Sequence, residues 1–141
     1  MAYATIPDMT LRFGETEIIR LSAGDGPLPV AVVAATVERA LDDATAIVDS
    51  YLRRRYLVPL AAPTADIVRA ACIIARYDLA TGANKEPSTQ MKDDRAEVIA
   101  WLRMIADGRV TLEGAAPVNA GSGVQASDRE RVFTQNNLGL M

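Results

Sequence analysis

The sequence predicts an all-α fold: a small helical bundle around a long amphipathic helix at about 30–55 and a central apolar helix at about 65–80, with an extended C-terminal arm. Two patterns carry this. In VAVVAATVERALDDATAIVDSYLRRRYLVPL (30–60), Val33, Val37, Leu41, Ala44, Ile47, Val48, Tyr51 and Leu52 recur at steps of three and four, which lines one face of a 3.6-residue helix. In 65–80, apolar side chains surround nearly the whole cylinder and leave Arg69, Arg76 and Asp78 as the main polar breaks, the composition of a helix at the centre of a bundle.

Each element has its start and stop. Thr5 is placed to cap a short helix with Pro7 and Asp8 in the first turn, where a missing N–H does no harm and a carboxylate meets the positive dipole end. Gly14 ends it, and a second short helix at 15–21 presents Ile18, Ile19 and Leu21. Helices this short are marginal in water and must dock on something larger. The run SAGDGP (22–27) reads as a loop, and Pro29 is permissible at the first position of the long helix. Pro59 forbids its continuation and pushes Val58 to extended geometry. Thr64 is the expected N-cap of the central helix, and Gly82 follows its end. Ser88 caps a last helix to about 106, with Met91, Val98, Leu102 and Ile105 on one face and Gly108 as the stop. RVTL (109–112) reads as a short extended piece.

Beyond Glu113 the character changes. GAAPVNAGSGVQAS has no apolar period and reads as a linker, after which SDRERVFTQNNLGLM is too apolar for an inert tail. The organisation expected is a helical domain at 1–112, a flexible linker at 113–127 and an interaction arm at 128–141. Val132-Phe133-Thr134 is a β-prone segment of the kind that adds to a partner's sheet edge or fills its pocket. Fully extended, 114–141 spans on the order of 90 Å at about 3.3 Å per residue.

Composition bounds the function. A chain of 141 residues, 50% of them hydrophobic, suits one core. A net charge of -3 argues against nonspecific coating of nucleic acid, which needs a dense basic face. Cys72 stands alone inside an apolar run, so it forms no internal disulfide and reads as a buried thiol in a reducing compartment. No signal-peptide pattern or membrane span is visible, and the expectation is a soluble intracellular protein.

Chemistry is scarce. The chain has no histidine, which removes His-dependent nucleophilic catalysis and His-containing zinc sites. No Gly-rich phosphate loop is present. Asp42 and Asp49 share a helix face but stand roughly 10 Å apart along the axis, too far to chelate one ion, and Asp42 and Asp43 diverge by about 100°. Asp93 and Asp94 are expected to serve the N-terminal end of their helix. No enzyme, metal or cofactor is therefore expected. The sharpest charged feature is Arg53, Arg54 and Arg55: a complement to the helix C-terminus in the plain reading, a subunit contact or a contact to passing DNA in the functional one.

Taken together, ALDDATAIVDSYLRRRYLVPL, IVRAACIIARYDLA, AWLRMIADGRVTL, the RVFT of the tail and the opening YATIPDMTLRFGETEIIRL resemble the Mu-like phage structural protein family. The resemblance covers essentially the whole chain, and departs mainly at 22–29 and 114–126. It implies a virion component at the head-tail junction, a connector of the adaptor or head-completion type. Such a protein forms a homo-oligomeric ring, dodecameric by analogy with portal symmetry, between the portal protein and tail-side connector or terminator proteins. DNA passes through the lumen without sequence-specific binding, and no membrane is involved. On this reading Glu38, Asp42, Asp49, Arg53, Arg54 and Arg55 form a subunit interface, and Arg131, Val132, Phe133, Thr134, Leu138 and Leu140 form a partner-binding arm. The competing expectation is a small inhibitor-like regulatory module, absent from the virion, acting through the acidic helix face.

Overall fold

The computed structural model describes residues 1–82 and 85–118. The expected arm and most of the expected linker lie outside the described residues. The described chain is helical: α1 (Ile6–Phe13), α2 (Glu15–Ser22), α3 (Ala34–Leu52), α4 (Ala65–Ala80) and α5 (Thr89–Ala106). Among the described residues no strand forms, and Tyr56 and Pro117 make an isolated antiparallel bridge.

α4 touches each of the other four helices, as its all-round apolar surface requires. Ala70, Ala71 and Ala75 are buried on it and let neighbouring backbones approach. α3 and α5 pack on α4 and on each other, while α1 and α2 lie against α3 and α4. The apolar face of α3 is the one its periodicity predicts: Val37, Leu41, Ala44, Val48 and Leu52 are buried. Two short helices hold because each drives one side chain fully inside, Met9 from α1 and Ile18 from α2. Such a burial is worth about 1.5–3 kcal/mol, enough to offset the marginal stability of two helical turns. Thr5 and Asp8 close a reciprocal capping box on α1: the Asp8 N–H donates to Thr5 Oγ1 and the Thr5 N–H to Asp8 Oδ2.

The helix ends differ from expectation in instructive ways. α3 starts at Ala34, four residues later than 30, and stops at Leu52, leaving the three arginines in the turn beyond. Val30, Val32 and Val33 are β-branched and no capping side chain precedes them, so nothing local favours an early start. The Val33 N–H is instead taken by Ser22 Oγ, 3.1 Å away at the end of α2. Thr64 is the N-cap of α4 by position, yet its hydroxyl makes no cap bond and is buried without a partner. Ser88 does cap α5, accepting from the Met91 N–H at 3.2 Å. Asp94 lies past the first turn of α5, where the dipole has faded, and faces Arg76 at 3.9 Å instead.

Arg76 joins four helices. Its Nε donates to Glu17 Oε1 at 2.8 Å, and its guanidinium lies 4.4 Å above the Phe13 ring as well as near Asp94. With its side chain 19% exposed, this knot is shielded far better than an ordinary surface pair.

Residues 109–112 form no strand: Leu112 is buried, and its N–H donates to Tyr56 Oη at 2.9 Å. The head of the expected linker is tied down. The Leu57 N–H donates to the Ala116 carbonyl and the Val118 N–H to the Arg55 carbonyl, at 2.8 and 2.9 Å.

Candidate subunit interface

Glu38, Asp42, Thr45, Asp49 and the C-cap Arg53 follow one another at intervals of four, three, four and four, which keeps them within a stripe about 80° wide along α3. The N-terminal segment lies on the middle of that stripe. The Tyr3 N–H donates to Thr45 Oγ1 at 3.0 Å, and Thr45 Oγ1 donates to the Leu41 carbonyl at 2.8 Å. The Tyr3 hydroxyl donates to Asp49 Oδ1 and accepts from the Leu60 N–H at 2.9 Å. Burial first, and the Asp49 hydrogen bond second, push the Tyr3 phenol up to about 12.

Asp49 is thus engaged within the protomer. Glu38 and Asp42 remain exposed at one end of the stripe, and together with Leu41 they line a shallow cleft shared with Met1, Ala2 and Pro7.

The other end is basic. The three arginines diverge: Arg53 Nε donates to the Asp49 carbonyl at 3.3 Å, Arg54 stands 3.8 Å from Asp107, and Arg55 packs its guanidinium over Gly108. The Asp49 carbonyl already accepts the Arg53 backbone N–H at 2.9 Å, so the guanidinium adds a second, longer bond to it and sets its positive charge at the negative end of the helix dipole. The Arg54–Asp107 contact is long and its side chains are 73% and 58% exposed, so it adds little. It does place the C-terminal ends of α3 and α5 side by side. Arg103 joins Arg54 in lining a cleft there with Tyr51 and Asp107.

Of the residues singled out from the sequence, the structure therefore brings Arg53, Arg54 and Arg55 to one end and keeps Glu38 and Asp42 at the other. Glu38 and Arg53 are separated by about 22 Å along the axis at 1.5 Å per residue. Arg131, Val132, Phe133, Thr134, Leu138 and Leu140 lie outside the described residues. Sequence reasoning missed Tyr3, whose partners are 42–57 residues away in the chain. It also missed Arg103, whose membership of the basic end follows only from the parallel placement of α3 and α5. Among the described residues no group of three His, Cys, Asp or Glu side chains is arranged to hold a metal ion.

Comparison with known proteins matches the family model described as Bacteriophage Mu, Gp36 over residues 3–129, most of the chain. The chain belongs to the Mu Gp36 family. Gene product J of Escherichia phage Mu is 28% identical to it over 148 aligned positions, covering 100% of both chains. The Mu-like prophage FluMu protein gp36 of Haemophilus influenzae is 37% identical over 78 residues, 55% of this chain and 53% of that one. The Mu Gp36 match begins at Tyr3, runs through all five helices and both charged ends of α3, and stops before Arg131. Among the described residues no helix is long and apolar enough to cross a membrane.

Proposed function

We propose that this Mu Gp36 family member is a structural virion protein, a head-tail connector of the adaptor or head-completion type that assembles as a closed ring at the portal-tail junction. The observation that supports it best is the uneven charge along α3: in its first half the exposed Glu38, Asp42 and Asp43 outnumber Arg39, and Arg53, Arg54, Arg55 and Arg103 lie at or beside its C-terminal end. A protomer with opposite charges on separate patches favours head-to-tail contacts between copies, and a heterologous contact of this kind closes into a ring when its rotation closes. The portal protein and a tail-side connector or terminator are the neighbours on either face, and twelve copies match portal symmetry. DNA passes through the lumen without base readout. The protein acts in the virion, after assembly in the host cytoplasm.

Two measurements test this. Electron microscopy of particles made without the gene should show heads lacking tails; normal tailed particles would sink the proposal. Light scattering of purified protein should find a large oligomer, lost when Arg53, Arg54 and Arg55 become glutamine together. One second reading is favoured by the exposed Glu38–Asp42 side: an inhibitor-like module that binds a basic surface of another protein. Mass spectrometry of purified virions separates the two, since the module would be missing from the particle.

A further inference from the structure

The flank of the bundle between α4 and α5 holds a groove of about 320 Å³. Its apolar lining includes Ala100, Trp101 and Met104, and Asp66, Arg69 and Glu97 supply the charged groups. Trp101 is half-buried and Met104 is 38% exposed, so a large aromatic and a thioether face outward together. Trp101 rests one part of its ring against the core and leaves the rest in the groove. Leu102 and Ile105 from the same helix are already fully buried on its inner side.

We infer that this groove receives residues 128–141 of the same protein, with Phe133 against Trp101. Three observations select that occupant. The charges match in kind: Asp128-Arg129-Glu130-Arg131 alternates in sign immediately before Val132-Phe133, and the groove offers two carboxylates and one guanidinium. The apolar chemistry matches as well. Of the two phenylalanines in the chain, Phe13 lies beneath Arg76, and Phe133 is the one in the segment whose aromatic ring suits an indole. Finally, the reach is sufficient. The described chain ends at Val118, and Val132 lies at most about 46 Å farther along at 3.3 Å per residue. A domain of this size has a radius of gyration near 13 Å, so the segment can reach the groove of its own domain or of an adjoining copy. The inference stands apart from the connector proposal, because the isolated protein carries both groove and segment.

Trp101 is the single tryptophan and reports directly on occupancy. The experiment compares tryptophan emission and acrylamide quenching in the full-length protein and in its Phe133→Ala variant, with far-ultraviolet circular dichroism as the check on folding. The variant should emit to the red and quench more readily. A synthetic peptide of residues 127–141 should then restore blue emission to the variant, and the same peptide carrying Phe133→Ala should not. A wild-type signal that reddens on dilution assigns the groove to a second copy, and one that stays constant assigns it to the segment's own domain; both support docking. Full-length and variant proteins with the same emission and quenching would overturn the inference. So would a wild-type peptide that leaves the variant's Trp101 unchanged, since the groove then belongs to a different partner.

Discussion

Replacing Tyr3 by phenylalanine isolates one oxygen atom. The ring stays in place, so no cavity opens and the loss is confined to hydrogen bonds. Two partners are stranded: the Leu60 N–H, on a residue 9% exposed, and Asp49 Oδ1, which is half-buried. A buried donor left unmade costs about 1–3 kcal/mol, whereas a carboxylate that water can reach loses about 1 kcal/mol or less. The expected total is about 1–4 kcal/mol at neutral pH, read from urea unfolding followed by circular dichroism. A second readout comes from alkali. The folded phenol sits near 12 and the unfolded one near 10, so the protonated hydroxyl stabilises the native state fully below pH 10. That stabilisation, on the order of 2–3 kcal/mol, is lost as pH rises from 10 to 12. The wild type should show this alkaline decline in excess of the Tyr3→Phe variant, and the two stability curves should converge near pH 12. A neutral-pH difference below about 0.5 kcal/mol together with parallel alkaline curves would refute the role given to Tyr3, since it lies under the usual cost of a lost buried bond.

Two further outcomes follow from the same geometry. Gly108 has a φ of 81°, and a Cβ there would run into the Arg55 guanidinium. The guanidinium is the far end of a flexible, exposed side chain and can swing aside, so Gly108→Ala should cost about 1–3 kcal/mol through backbone strain, and adding Arg55→Ala should recover little of it; full recovery in the double variant would show that the turn tolerates a side chain. Cys72 is fully buried, and burial above all pushes its thiol up to about 11. It should resist a thiol-specific reagent at pH 8 in the native protein and react at once in urea; fast native labelling would mean that α4 opens far below global unfolding.

Much of this fold is local, and what is local was legible. The amphipathic step of α3, the all-round apolar character of α4 and the Thr5–Asp8 box depend on residues within a turn or two of one another, so the chain displays them directly. The all-α bundle follows from these. What escaped depends on closure. Nothing near Tyr3 announces that its hydroxyl meets Leu60, fifty-seven positions on. The polar stripe of α3 shows in the spacing of Asp42 and Asp49, but Tyr3 comes to lie on it only once the bundle forms. Arg76 looked like a flaw in an apolar helix; its partners Glu17, Phe13 and Asp94 come from three other helices. Apolar spacing alone puts the α3 start too early, because it cannot distinguish the Val30–Val33 run from a first helical turn when no cap marks the boundary.

The pairing of residues 116–118 with 55–57 carries a mechanical consequence. Tension applied beyond Val118 does not first reach α5, although α5 is the preceding helix in the chain. It meets the Val118 N–H bond to the Arg55 carbonyl, then the Leu57 N–H bond to the Ala116 carbonyl. Both lead into the turn at the foot of α3. A pull on the C-terminal side is thus delivered to the longest helix through a two-bond clasp that can part while the core stays shut, which gives the domain a weak link placed outside its own interior.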